Sequence, residues 1–442
     1  METSKTKPKT KHADKPATKA KPAGAEPKAA TVEKKAAKKS AEANEAKRLP
    51  IDLNYLQQTL LKLLSVHSPS GYTDPIVREL CHELDELGLE YELTRRGAVR
   101  ATLPGRAYSP DRAIVAHVDT LGAMVKSLKP NGRLQLVPLG TWSSRFAEGA
   151  RVSIYTDKTI YRGTILPLKA SGHVYNEEVD TQKTDWEHVE LRIDEDSSTR
   201  EDLLELGVQV GDYIGVDSTA EFLANGYLTS RHLDDKAGVA AILTAAKYLK
   251  EHKIELPVEC HLLFTISEEV GSGASAVLHG DVAEMVSIDN GTVAPEQNSS
   301  EKGATIAMAD STGPFDYHLT HHLINLCRRN GIPHQRDVFK YYRCDSASAL
   351  EAGNDIRTAL ITFGVDASHG YERTHLDALA SVTELIIAYA QSHLVYKKQK
   401  KNLTSIKDFP KVRVTDVPLT QLEQTESTAQ IPPPEKSAPK AK

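Results

Sequence analysis

The sequence predicts an α/β fold with a compact β-rich unit inserted into it, on three observations. Apolar strand-like runs alternate with helical periodicity before about residue 124 and again after Leu228. Between those limits, from Met124 to Val216, short β-prone pieces are separated by turn residues. The strand-like runs of the outer part also deliver histidines and carboxylates, and an open α/β sheet gathers its ligands at the carboxyl ends of its strands. At 442 residues the chain exceeds one minimal core, which fits two folded units plus tails.

Residues 1–48 repeat Lys, Ala and Pro, with thirteen lysines and one arginine against six acidic groups. Almost no large apolar residue is present, so the segment cannot offset its ordering entropy and is expected to be disordered. It lacks the apolar stretch of a secretory signal. A solubilising tail is the expected role, with loose attachment to nucleic acid or an acidic surface as the alternative. Its net +8 leaves −13 on the remainder of a chain whose formal charge is −5. An acidic body suits a soluble enzyme rather than a nucleic-acid binder.

The folded part begins near Arg48-Leu-Pro. Leu53, Leu56, Leu60, Leu63 and Leu64 recur at helical spacing, with Asp52 placed to cap the start and Ser68-Pro-Ser-Gly71 to end it. A second helix is expected from Pro75 to Leu87, closed by Gly88, and then a strand over Ala113–Ala116 that delivers His117 and Asp119. In the middle unit, 134–137, 151–155, 159–163 and 188–193 read as strands. Glu201–Leu206 reads as a short helix and Gly207–Asp212 as a tight turn. The α/β rhythm then returns: a helix over Asp235–Lys250, a strand over Val258–Ile266, and a strand over Glu284–Ile288 ending in Asp289-Asn-Gly. A helix over Tyr317–Asn330 is stopped by Gly331, a strand covers Thr358–Thr362, and a helix over Ala380–Leu394 closes the body. From Asn402 the composition is again Pro-, Thr-, Gln- and Lys-rich, and disorder is expected. No apolar run approaches the roughly 18 residues of a membrane span. Cys81, Cys260, Cys327 and Cys344 form no CxxC pair, which fits isolated thiols in a reducing cytoplasm.

The segment Ile-Ser-Glu-Glu-Val-Gly-Ser-Gly, 266–273, puts Glu268 and Glu269 at the end of a buried strand. Adjacent carboxylates there are either solvent-exposed and idle or aimed into one crevice. Their company decides. His117 and Asp119 follow one strand, Asp234 and Asp235 open a helix, Asp289 follows another strand and His369 a third. Singly, Asp234 could be a helix N-cap and His117 a core histidine. Jointly, two histidines and several carboxylates on one sheet edge form a mixed N/O set suited to Zn²⁺, Co²⁺ or Mn²⁺.

In order, His-Val-Asp, Leu-Asp-Asp-Lys, Glu-Glu-Val-Gly, Ile-Asp-Asn and His-Gly-Tyr-Glu resemble the M42 family of dinuclear metallo-aminopeptidases over roughly Leu49–Leu394. Ser68-Pro-Ser-Gly-Tyr72 and the 207–212 turn belong to the same resemblance. It implies an α/β/α sandwich with a mixed sheet and an inserted small β-barrel-like domain. The boundaries are a catalytic domain over 49–123 and 222–397, a dimerisation domain over 124–221, and tails at 1–48 and 398–442. It further implies two divalent ions, Zn²⁺ or Co²⁺. His117 and Asp289 would hold one, Glu269 and His369 the other, and Asp234 would bridge. Asp119 would orient His117, and Asp235 would position the bridging region. Glu268 would be the general base, which explains why two adjacent glutamates are needed. Homo-oligomers, dimers and dodecameric shells, are implied as well, with a short peptide as substrate.

The sequence departs from the family pattern at Arg231-His232 and at Tyr341–Ala347, the latter where a glycine-rich Gly-Thr-Asp-Ala-like segment is expected beside the substrate pocket. His375 rivals His369 as a ligand, but His369-x-x-Glu372 favours His369. His173 is expected in a loop of the insert. The tailed, variant-pocket form also resembles a branch of the family associated with N-acetylglutaminylglutamine amide, an osmoprotectant dipeptide. Alternatives are an M20-like carboxypeptidase, dipeptidase or N-acyl amino acid deacylase, and a non-enzymatic scaffold. A glycosidase would have no use for the two histidines.

Overall fold

The computed structural model describes residues 48–397. The expectations for the two tails fall outside these residues except at Arg48, which is held in the folded body. Its Nε donates to Glu384 at 2.9 Å and its Nη2 to Ser381 Oγ at 3.1 Å.

Four parallel neighbours form the heart of a twelve-stranded mixed sheet, in the order Cys260–Thr265, Asp111–His117, Val282–Val293 and Arg357–Asp366. Every residue of the first two strands is buried. A strand buried on both faces needs cover on both, which is the physical content of the sandwich. Helix Leu233–Glu251 lies against Asp111–His117 and Val282–Val293, and packs on helices Leu53–Ser65 and Leu376–Ala390. Helix Asp345–Glu351 lies against Val282–Val293 and Arg357–Asp366. Antiparallel strands make the sheet mixed: Val99–Leu103 and Glu90–Leu93 on one flank, Glu372–His375, Tyr227–Ser230 and Glu221–Phe222 on the other.

Local chemistry sets the element ends. Asp52 caps Leu53–Ser65 by accepting from the Tyr55 amide at 3.0 Å. Gly331 closes Tyr317–Asn330 in the left-handed region at φ +65°. The strand expected to stop at Ile288 runs on to Val293, because its ladder with Arg357–Asp366 continues from Glu284↔Arg357 to Val293↔Asp366. Asp289 therefore sits within a strand and does not follow one. The closing helix starts at Leu376, ahead of Ala380, because His375 Nδ1 accepts from the Asp377 amide at 3.0 Å and caps it. Glu372–His375 was not visible as a strand: Glu-Arg-Thr-His has no apolar alternation, and its extended form comes from pairing with Tyr227–Ser230.

The middle unit is a closed six-stranded barrel in the order Gly122–Leu128, Leu134–Leu139, Val189–Ile193, Ile160–Pro167, Arg151–Tyr155 and Tyr213–Val216. It has a core of its own, in which Val125, Leu136, Ile154, Ile165, Leu191 and Ile214 are buried. Closure leaves no free strand edge. Its first strand starts at Gly122, so the barrel hangs from the strand end that carries His117.

Candidate metal centre

The sheet delivers the predicted residues to one crevice. His117 is the last residue of its strand, and Glu268 and Glu269 follow Thr265 by three and four positions. Asp234 and Asp235 stand at the head of Leu233–Glu251, where their backbone is not helical (Asp234 ψ 107°, Asp235 φ −118°). Neither caps the helix. That position belongs to His232, which makes no side-chain cap bond. His369 lies three residues past Asp366, in the left-handed region at φ +63°, a conformation that a non-glycine residue keeps only when its surroundings hold it. Glu372 does the holding. Its Oε1 accepts from the His369 amide at 3.0 Å and its Oε2 from the Asp234 amide at 3.2 Å.

Asp234 is the junction. Its Oδ1 lies 3.0 Å from His117 Nε2 and its Oδ2 3.2 Å from His369 Nε2. Glu269 Oε2 is 3.8 Å from the same His369 nitrogen, and Asn290 Nδ2 donates to Asp234 Oδ2 at 2.6 Å. Two triads share Asp234: in His117–Asp234–Asp289 and in Asp234–Glu269–His369 one ligand atom per residue lies within 4.8 Å of the others. Glu268 stands beside them, its Oε2 3.8 Å from His117 Nε2. Glu269 Oε1 is buried with no hydrogen-bond partner. A buried carboxylate oxygen left in that condition, among imidazoles and further carboxylates, fits a divalent cation.

Asp119 meets His117 through its main chain. His117 Nδ1 is 2.9 Å from the main-chain carbonyl of Asp119, whereas the carboxylate is 3.6 Å away. A carbonyl oxygen only accepts, so Nδ1 carries the proton and Nε2 faces Asp234. The Asp119 carboxylate serves the glutamate pair: it accepts from the Glu268 and Glu269 amides at 3.1 and 3.3 Å and from Ser70 Oγ at 2.5 Å. Asp235 Oδ2 accepts from the His117 amide at 3.2 Å.

Buried carboxylates crowded around the two imidazoles shift one another's protonation. Burial, then the charge of Asp234, lifts the Glu269 carboxyl to about 8. Burial pushes Glu268 well above the ordinary carboxyl range, where the charge of Asp289 adds to it and that of His117 opposes it. For His369, burial works against protonation, but the hydrogen bond to Asp234 and the Glu269 charge outweigh it and hold the ring at about 11. Each of these shifts favours the protonation state that puts less negative charge into the buried cluster.

His375 and His173 are elsewhere. His375 Nε2 is bonded to the Asn225 carbonyl at 3.0 Å, and His173 lies in the short helix Gly172–Tyr175 of the barrel unit. His232 borders the crevice, but its Nε2 is bonded to the Val216 carbonyl at 3.0 Å. Three contributors were not legible in advance. Thr141, in the barrel unit, lies with its carbonyl 2.8 Å from His369 Nδ1. Asp345 accepts from Thr265 Oγ1 at 2.7 Å, and burial lifts it to about 6. Tyr342 lies beside Asp289, whose carboxyl its hydroxyl helps to keep charged. Only the departure at Tyr341–Ala347 hinted at the last two. A cavity of about 1000 Å³ opens beside the triads, bordered by Glu268, Asp289, Tyr341, Tyr342, Arg343 and Gln297.

The M42 glutamyl aminopeptidase family profile matches residues 97–385. YhfE of Bacillus subtilis (strain 168), named as a candidate aminopeptidase, is 37% identical over 76% of this chain and 98% of its own length. Lysyl aminopeptidase of Pyrococcus furiosus is 26% identical over 54% of this chain and 70% of its own. Among solved structures, the TET1 peptidase of Pyrococcus horikoshii matches with a TM-score of 0.67 at 24% identity, over 76% of this chain and 99% of its own. That peptidase can assemble into a tetrahedron or a large octahedral shell.

Proposed function

The chain belongs to the M42 glutamyl aminopeptidase family and is a metal-dependent aminopeptidase, and we propose that it releases the N-terminal residue of short peptides with two divalent ions. The observation that carries the second ion is Asp234, whose two oxygens face two different histidines at 3.0 and 3.2 Å. His117 and Asp289 would hold one ion and Glu269 and His369 the other, with Asp234 between them. Two such ions, when bound, polarise a scissile carbonyl and acidify a water.

The chain's own residues do the rest. Glu268 takes a proton at its carboxylate and passes it to the leaving amine, as a group beside the ligands but not one of them. Asp119 fixes the backbone of both glutamates, so that base and ligand keep their separation. Main-chain carbonyls hold Nδ1–H of His117 and His369, which leaves each Nε2 free to ligate. The ion is Zn²⁺ or Co²⁺ in this reading, and the chain assembles with copies of itself, as the TET1 peptidase does.

Family membership favours this reading over an M20-like carboxypeptidase, dipeptidase or N-acyl amino acid deacylase and over a scaffold. One experiment tests the reading: metal content of the purified chain, followed by hydrolysis of a peptide panel with free and acetylated amino termini. At least two ions per chain and a strict need for the free amine support it. Cleavage of acetylated peptides, or full activity at one ion, overturns it.

A further inference from the structure

The opposite end of the same strands carries a second group of metal-ligating side chains. Asp111 begins the strand that His117 ends, so the two are separated by six residues of extended chain, roughly 20 Å. Glu259 and His261 are two apart and share a sheet face, and the register Cys260↔Arg112 and His261↔Ala113 sets Glu259 level with Asp111. We propose that Asp111, Glu259 and His261 bind a further divalent cation, zinc in the first instance, independent of the catalytic centre.

Distances argue for it. His261 Nε2 is 3.4 Å from Asp111 Oδ2 and 3.5 Å from Glu259 Oε1. That is too long for an N–H···O hydrogen bond, which prefers about 2.7–3.2 Å. It matches the separation of about 3.4 Å between two ligand atoms that lie about 2.1 Å from one tetrahedral zinc. His261 Nε2 and Asp111 Oδ1 are both buried without a hydrogen-bond partner. His261 and Asp111 are each 2% exposed, so bulk solvent does not reach them.

The neighbours of the site hold its groups in place, and the His279 ring lies against that of His261 at 4.3 Å between centroids. The ring is turned by Thr102, whose Oγ1 lies 3.3 Å from Nδ1; Thr102 is the residue directly opposite His261 in the sheet. With that contact on Nδ1, Nε2 faces the carboxylates. The Asp281 amide reaches Asp111 Oδ2 at 3.3 Å, and Gly280 approaches so closely that a Cβ there would lie 2.9 Å from the same oxygen. Arg100, on the same face, is committed to Glu92 at 3.0 Å and to the Val277 carbonyl at 2.6 Å. Glu259 and Thr102 also border a cavity of about 500 Å³. A bound ion would tie the starts of two central strands to the 280–281 loop.

The test uses the full chain, equilibrated with Zn²⁺ alone and analysed for zinc per chain. His261→Gln should lose one ion relative to wild type while the rate of peptide hydrolysis stays within about twofold. Glu259→Gln, at a partly exposed side chain, keeps the test alive if His261→Gln does not fold. It should weaken that ion's affinity more than about tenfold, since even outer-shell changes cost 10- to 100-fold. In an Asp234→Ala background, where the catalytic ions are disturbed, Glu259→Gln should still remove one zinc. Equal zinc content with and without Glu259→Gln in both backgrounds overturns the proposal, whatever the count at the catalytic centre.

Discussion

His369 Nδ1 and the carbonyl oxygen of Thr141 lie 2.8 Å apart, joining a loop of the inserted barrel unit to a ligand candidate 228 residues later in the chain. Because the carbonyl only accepts, the barrel unit fixes the tautomer of His369. Gly140, one residue earlier, has φ +81°, and a Cβ there would lie 2.5 Å from Leu121 Cδ2 and 3.5 Å from Glu269 Cβ. Gly140→Val is therefore expected to displace the Thr141 carbonyl and lower the specificity constant by tenfold or more. The barrel should stay folded, since no buried core residue is lost. Activity assays alongside thermal melts check this; unchanged kinetics would show that the barrel loop does not orient His369.

The adjacent glutamates should separate on substitution. Glu268→Gln is expected to keep its metal while the rate falls about 10² to 10⁴-fold, the usual worth of a general base. Glu269→Gln should lose metal first and regain activity partly in excess Zn²⁺ or Co²⁺. Elemental analysis and rates on both variants decide, and a Glu268→Gln chain that sheds its metal would reverse the roles.

Metal uptake should release protons. Glu269 at about 8 and His369 at about 11 are protonated in the metal-free chain at pH 7. Ligands bind deprotonated, so raising the pH favours uptake, and each released proton adds about tenfold in affinity per pH unit. Apparent affinity should climb from pH 6 to 8, with the Glu269 contribution levelling off above 8. Calorimetry in buffers of different ionisation enthalpy counts the protons; a pH-independent affinity would contradict the competition between proton and metal at Glu269 and His369.

Asp119→Asn should act on the glutamate pair more than on His117. The amide group can accept at one atom only, where the carboxylate now accepts from two amides and Ser70. An unmade buried bond costs about 1–3 kcal/mol. A lower melting temperature with a reduced rate is expected. Loss of metal at His117 without any effect on stability would show that the carboxylate serves the histidine after all.

Removing residues 1–47 is expected to leave folding and turnover intact, since the described core takes in Leu49 and residues beyond it. The cut must spare Arg48, which pairs with Glu384. Circular dichroism and kinetics of the truncated chain check this, and salt-sensitive nucleic-acid binding lost on truncation would assign the tail a role.

Much of this protein was legible in the order of its residues. Apolar runs ending in His117, Glu268–Glu269 and His369, with two aspartates opening a helix, announce a sheet edge loaded with ligands, because strand ends are set by local pattern. The stop of Tyr317–Asn330 at Gly331 is equally local, a matter of one backbone conformation. Tertiary structure alone decided which atom does what. Asp119 lends His117 its carbonyl and the glutamates its carboxylate, and no spacing rule distinguishes two acceptors on one residue. Thr141 meets His369 because a separately folded barrel brings its loop back to the sheet. Asp289 lies inside its strand because a neighbouring strand extends the ladder. Asp111, Glu259 and His261 converge because two strands far apart in sequence run side by side in one register. Sequence periodicity records what a segment buries, whereas the partner of each polar atom is fixed by chain that arrives from elsewhere.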